Sequence, residues 1–313
     1  MPEPHQATSR SPQATLREIA RRLGRPAPSS RFLSALCPLH GDTSPSLSLW
    51  VGSGQLRARC FAGCSERAVL AALGCATPFA QSAPSDVEIE AEIAEAREAA
   101  KRAERALQIW KDALSLTEAG LAVRYLRKTR RLALPVLPRT LRLHPNLYHG
   151  WSRTSPPALI ARVDVADGEM VAVHRIWLDP ATADKAPIEP QRALLGSQQH
   201  GAVHLFDRPD SKELLVAEGV ETALAAGELD HWKRSVWAAL STSGLVALQV
   251  PKKFGAVVIA ADHDANGAGV YAANVLAHRL RKRGVRVRIV ASRRVGADWN
   301  DELLENKQQG TAA

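Results

Sequence analysis

The chain has 313 residues, 45% of them apolar and 5% aromatic, enough for two domains with separate cores. No run approaches the roughly 18–20 apolar residues of a membrane span. The opening MPEPHQATSRSPQATLREIARRLGR has no apolar signal core, so a cytoplasmic protein without membrane association is expected.

The net charge of +9 is uneven. Residues 1–80 carry nine arginines against four acids, residues 86–130 balance nine acids with nine bases, and residues 279–294 carry eight Lys or Arg and no acid. Excess charge at both ends suits a polyanion such as nucleic acid, though charge alone fixes neither fold nor chemistry.

In chain order, TLREIARRLG reads as a short amphipathic helix with Leu16, Ile19, Ala20 and Leu23 on one face and Gly24 closing it. Three of the four cysteines follow with a histidine: Cys37, His40, Cys60 and Cys64 give C-x2-H, a spacer of nineteen residues, then C-x3-C. Thiolate and imidazole ligands in two close pairs make a closed tetrahedral Zn2+ site, and a reducing compartment favours metal over disulfides. Between the pairs, SPSLSLWVGSGQLRARC alternates around a Gly-Ser-Gly turn, as a β-ribbon does. Trp50 there can stack on unpaired bases beside Arg57 and Arg59 for phosphates, or serve the ribbon's own core. Cys75 has no partner in this pattern.

SERAVLAALG is a second helix with Ser65 as N-cap, and the Ala/Pro/Ser-rich residues 76–85 read as a linker. Ile89, Ile93, Ala96, Ala100, Ala103, Leu107, Trp110 and Leu114 then recur at spacings of four and three. This predicts a long helix whose narrow apolar stripe packs against the body of the protein, the other reading being an independent coiled coil. PALIARVDVADGEMVAVHRIWLD is a hairpin around Asp167-Gly168.

From Leu214 the pattern becomes strand-helix alternation: LLVAEG, VETALAAGEL, SVWAAL, GAVVIAAD, a helix to Gly284, and VRVRIVAS. An α/β fold with a parallel sheet covered by helices on both faces is expected. Ligands gather at the carboxyl ends of such strands, where Glu218, Asp262 and Asp264 fall. Asp262 and Asp264 at i and i+2 point to one side if the strand continues through them, and a carboxylate cluster of this kind needs a hard cation, Mg2+ or Mn2+. The other reading of Asp264, with Asn266 and Gly267, is a turn that caps the next helix. His263 points the opposite way and is not counted as a ligand. Asp301 is a candidate N-cap of the last helix.

CPLHGDTSPSLSLW followed by RCFAGCSERAVLAALG resembles the N-terminal zinc-binding domain of DnaG-type, phage and plasmid primases, although that family often has C-x2-C in its second pair. LLVAEGVETALAA, VVIAADHDANGAG and GADWNDEL resemble the three signatures of a Toprim domain, and AVHRIWLD with KAPIEPQRALLG resembles the strand-rich subdomain that precedes it. The resemblance covers most of residues 30–306. With the N-terminal helix, the expected division is a helical segment over 1–30, a zinc ribbon over 31–75, a linker with long helices over 76–134, a strand-rich basic subdomain over 135–210, a Toprim domain over 211–306 and a tail over 307–313.

The activity implied by that resemblance is a primase of phage, plasmid or integrated-element type, which joins NTPs into short primers on single-stranded DNA. Glu218, Asp262 and Asp264 would hold the Mg2+ or Mn2+ ions, with Asp298 matching the later acidic motif less closely. Arg175, Lys185 and Arg192 would hold triphosphate or template backbone, the other reading of each being a solvated surface charge. No Walker-type Gly-x4-Gly-Lys-Ser/Thr run occurs, so a helicase is expected to act in trans. A metal-dependent nuclease and a non-catalytic zinc-ribbon adaptor stay open as alternatives. With three tyrosines, none in an evident nucleophile motif, a topoisomerase is disfavoured.

Overall fold

The computed structural model describes residues 12–23, 32–39, 47–52, 55–60, 64–75, 86–198, 200–263, 267–294 and 296–311. The chain divides into two compact units, Met1–Ile93 and Ala94–Ala313. Among the described residues, no helix is long and apolar enough to cross a membrane. The expected linker at 76–85 lies outside them.

In the first unit, α1 (Pro12–Arg22) packs on an antiparallel sheet of β1 (Phe32–Ala35), β2 (Leu47–Gly52) and β3 (Gln55–Cys60), followed by α2 (Glu66–Ala72). The alternation in β3 buries Leu56, Ala58 and Cys60 and leaves Gln55, Arg57 and Arg59 outside. Leu16, Ile19 and Ala20 of α1 meet Leu47, Leu49, Val69 and Leu70 in one core, each large side chain contributing about 1.5–3 kcal/mol by leaving water. Leu23 does not join them, because α1 ends at Arg22 and Leu23 turns outward. Ser65 caps α2 as its sequence suggests, its Oγ accepting from the Ala68 N–H at 3.3 Å.

The long helix α3 (Asp86–Asp112) buries Ala106 and Trp110. Of the expected stripe only Trp110 is buried among the described side chains: Ala96, Ala100, Ala103 and Leu107 are exposed, and Leu114 lies beyond the helix and is 61% exposed. Arg142 accounts for the ending, since its guanidinium donates to the Trp110 carbonyl at 2.8 Å and lies over the Trp110 ring. Leu114 instead opens β4 (Leu114–Ser115), and α4 (Leu121–Arg124) runs into a π-helical turn over Tyr125–Thr129. An antiparallel sheet of order β4-β5-β6-β7-β8 then forms with β5 (Leu141–His144), β6 (Ala158–Asp164), β7 (Met170–Trp177) and β8 (Arg192–Gly196). The β6–β7 hairpin turns where expected, with Gly168 at φ +91°, a conformation that L side chains rarely adopt.

The last sheet has order β13-β12-β10-β11-β9 and is built from β9 (Val203–Phe206), β10 (Glu213–Ala217), β11 (Ser235–Ala238), β12 (Ala256–Ala261) and β13 (Arg286–Ala291). All neighbours pair in parallel except β9, which lies antiparallel against β11. The helices are α5 (Val220–Leu229), α6 (Thr242–Ala247), α7 (Ala268–Lys282) and α8 (Trp299–Thr311), with α5 packed on α8 and α6 on α7. Crossovers running in opposite directions from β10 and β12 put these pairs on opposite faces of the sheet.

Three expected boundaries therefore move. The strand-rich region begins with β4 rather than at residue 135, β9 belongs to the C-terminal sheet rather than to residues 135–210, and α8 extends to Thr311 through most of the expected tail.

Candidate active site

The strands β10 and β12 are apolar and buried on both faces, so the first polar side chains after them emerge together at the carboxyl edge. Ala217 pairs with Ala260, which sets Glu218 level with Ala261 and one position short of Asp262 on the neighbouring strand. The chain leaves β10 for β11 on one side, then returns past β10 to β12 on the other. The order reverses between β10 and β12, the place where open α/β sheets form their ligand crevice.

The backbone around both acids is fixed. The Glu218 carbonyl accepts from the Leu240 N–H at 2.6 Å, and the Ala261 carbonyl accepts from the Trp299 indole N–H at 3.1 Å. His263 turns aside as expected, its Nδ1 lying 3.1 Å from the Ser292 carbonyl, while its own carbonyl accepts from the Gly296 N–H at 2.7 Å. Asp264 lies outside the described residues. The donor set at these strand tips is carboxylate only, which fits a hard divalent cation such as Mg2+ or Mn2+.

The cap expected of Asp301 falls to Asp298. The Asp298 Oδ1 accepts from the N–H groups of Asn300 at 2.8 Å and Asp301 at 2.9 Å, while Asp301 Oδ2 accepts from the Asp298 N–H at 3.1 Å. This is a reciprocal capping box with Asp298, not Asp301, as the N-cap of α8.

One acid that sequence reasoning did not single out is central. Glu221, in the first turn of α5, is buried and accepts from the Tyr125 hydroxyl at 2.7 Å, with Lys185 Nζ 3.0 Å from the same oxygen. Burial alone would raise its pKa, but Lys185 and Tyr125 draw it down to about 2, so it remains a carboxylate. The signal was present: an acid inside VETALAAG, a helical run that is buried nearly all round, requires a partner.

Lys185 is thus held by Glu221. Arg192 is exposed on β8. Arg175 lies on the other face of the sheet, alternating with His174 and sharing its side with Trp177, over whose ring its guanidinium sits at 5.1 Å while donating to the Ala193 and Leu194 carbonyls. Burial lowers the Arg175 pKa.

In the first unit, the Sγ atoms of Cys37, Cys60 and Cys64 lie within 4.8 Å of one another. Tetrahedral zinc with Zn–S near 2.3 Å needs sulfurs about 3.8 Å apart, so the three thiols fit that ion. Burial, with Cys60 and Cys64 alongside, pushes the Cys37 thiol up to about 12, as expected for thiols crowded together without a cation. His40 lies outside the described residues, and Cys75 is not in the cluster. On the outer face of the ribbon, Trp50 stands opposite Arg57, and Arg59 follows on the same side. Arg57 is engaged by Glu66, with Nε to Oε1 at 2.8 Å.

Residues 213–309 match the family model for the Toprim domain. The C-terminal part of this chain is a Toprim domain. Residues 100–205 match a family described as a domain of unknown function (DUF7146). Among curated proteins, none matches the chain.

Solved structures similar to it include the Aquifex aeolicus primase zinc-binding and RNA polymerase domains, at 15% identity and TM-score 0.45 over 97% of this chain and 84% of that one. A DnaG primase catalytic domain bound to single-stranded DNA is similar at 14% identity and TM-score 0.42 over 70% and 81%. A DNA primase domain from Pseudomonas aeruginosa is similar at 18% identity and TM-score 0.35 over 50% of this chain and 49% of that one, so the chain spans about half of that protein. Within the Toprim domain, Glu218 and Asp262 occupy the carboxyl ends of its central strands, and Glu221 ties its α5 to the region before it.

Proposed function

We propose that the chain is a primase-like nucleotidyltransferase that joins NTPs into short primers on single-stranded DNA. The observation that carries this reading is the placement of Glu218 and Asp262 at adjoining strand ends, at the switch point of a Toprim sheet, with Asp264 two residues further on in the sequence.

Glu218, Asp262 and Asp264 hold Mg2+ or Mn2+, which when bound polarises the α-phosphate and the attacking 3′-hydroxyl. The chain's own contribution is rigid placement. Trp299, Ser292 and Leu240 pin the backbone at Glu218 and beside Asp262, so these two carboxylates are arranged before substrate arrives. Asp298 serves as a helix cap in this reading. Arg192 is the exposed candidate for triphosphate or template backbone, and Lys185 acts through Glu221.

Zinc on Cys37, His40, Cys60 and Cys64 stabilises a ribbon whose outer face, with Trp50 and Arg59, binds template. A helicase acting in trans and a phage, plasmid or integrated-element setting belong to the same reading. The test is to incubate the full chain with single-stranded DNA, labelled NTPs and Mg2+ or Mn2+. Short labelled oligomers are expected. Cleavage without extension would establish the nuclease alternative, and DNA binding with neither product would establish the adaptor.

A further inference from the structure

Residues 147–156 form a small hairpin between β5 and β6. The Leu147 N–H donates to the Pro156 carbonyl at 2.9 Å, the His149 N–H to the Thr154 carbonyl at 2.8 Å and the Arg153 N–H to the His149 carbonyl at 2.8 Å. His149 anchors it from within. Fully buried, its Nδ1 lies 2.7 Å from Ser152 Oγ, its Nε2 lies 3.1 Å from the Pro190 carbonyl, and its ring meets buried Trp177 edge-on at 4.6 Å.

This anchored turn does not bury its other two rings. Tyr148 is 60% and Trp151 67% exposed. Trp151 is the one exposed tryptophan of the seven in the chain, all of which are described. It leans on His149 with ring centroids 5.4 Å apart, which leaves much of its surface in water. Arg153, also exposed, follows at φ +56°, a conformation that an L residue other than glycine seldom adopts. Between Glu118 and Asp164 the sequence has nine Arg or Lys and no acid, so nothing within the segment offsets Arg153.

We infer that this hairpin is a second nucleic-acid contact, in which Trp151 and Tyr148 stack on unpaired bases of a single strand and Arg153 meets its phosphates. Exposed aromatic rings beside an exposed arginine suit a single strand because every base offers a π face, while the phosphates supply charge complementary to Arg153. A duplex keeps its bases stacked on one another and offers the rings nothing. The contact assigns a role to the region matched only to a domain of unknown function, and it stands apart from the nucleotidyltransferase reading.

The test is binding of labelled oligo(dT) and oligo(rU) to the full chain by anisotropy, without nucleotide or added divalent metal, so a failure of primer synthesis leaves it unaffected. Trp151→Ala and Tyr148→Ala should each weaken single-strand binding about tenfold, with Trp151→Phe retaining most of it and duplex binding unchanged in all three. Because stacking releases no counterions, the salt slope should stay as it is in these variants and fall by about one in Arg153→Gln. Unchanged single-strand affinity in Trp151→Ala with an unaltered melting temperature would overturn the inference. An equal loss on duplex would overturn the stacking role.

Discussion

The Tyr125 hydroxyl donates to Glu221 Oε1 at 2.7 Å, tying the π-helical turn to a carboxylate three residues beyond Glu218. Arg130 Nε donates to the same hydroxyl at 3.1 Å. Further along α5, Glu228 accepts from the Ala133 N–H at 2.6 Å and faces Lys307 Nζ of α8, while Asn300 Nδ2 donates to the Arg130 carbonyl at 2.8 Å. Residues 125–133 are therefore fastened to both helices on one face of the Toprim sheet. A change in that strap reaches the turn that follows Glu218.

Removing one partner of the buried Glu221 should be more harmful than its exposure to solvent suggests. Lys185→Met leaves an uncompensated interior charge and should cost about 3–5 kcal/mol, and Tyr125→Phe, which removes one bond to a charged group, about 1.5–3 kcal/mol. Urea unfolding of the two variants checks the order, and the double change Lys185→Met with Glu221→Gln should recover part of the first loss.

Acid should weaken the fold in two windows. The folded pKa of Glu221 is depressed from 4.5 to about 2 against burial by Lys185 and Tyr125, with Arg130 and His174 also facing it, so its contribution is complete above 4.5 and is lost as pH falls toward 2. Burial holds His174 and His204 down from 6.5 to about 4, so between those values the unfolded chain binds more protons and stability falls as pH falls. Urea midpoints from pH 8 to 3 should show both declines, and Glu221→Gln should flatten only the lower one.

Metal content discriminates among the cysteines. The full chain should carry about one zinc, Cys60→Ser should lose it, and Cys75→Ser should keep it. Retention in Cys60→Ser with loss in Cys75→Ser, by elemental analysis, would contradict the cluster of Cys37, Cys60 and Cys64.

Asp298→Ser keeps a good N-cap and Asp298→Ala does not. If Asp298 serves only α8, the serine variant should melt within a degree or two of the parent while the alanine variant loses about 1 kcal/mol, and both should retain activity per folded molecule. Loss of activity in the serine variant would make Asp298 part of the metal site.

Much of this was legible in the sequence because local signals agreed with the tertiary outcome. The strands β10, β11 and β12 are mainly apolar runs ended by turns, β13 alternates Arg286 and Arg288 with Val287 and Ile289, and Glu218 and Asp262 are the first acids past their strands. The strand β9 was hidden because VHLF is short and its place is set by pairing with β11, which lies well downstream. Leu114 fitted the helical period, but Arg142, 28 positions on, closes α3 before it is reached. Asp298 and Asp301 satisfy the capping pattern in both directions, and only the direction of their hydrogen bonds assigns the cap. Glu221 could be noticed as an acid in an apolar helix, but its partners Tyr125 and Lys185 come from distant segments that no local pattern connects to it.

The central claim is that the Toprim acids carry catalysis rather than stability. Carboxylates gathered around one cation site, as the proposed ligand set of Glu218, Asp262 and Asp264 would be, repel one another without the cation, so neutralising one should leave the metal-free fold as stable as before or slightly more so. The most direct measurement is primer yield on single-stranded DNA with Mg2+ or Mn2+, taken together with melting temperature, for the parent, Asp262→Asn and Asp264→Asn. The expected result is no primer from either variant, with melting temperature, zinc content and DNA binding preserved. Full primer synthesis by either variant, or a lowered melting temperature with turnover per folded molecule intact, would contradict the catalytic role of that residue.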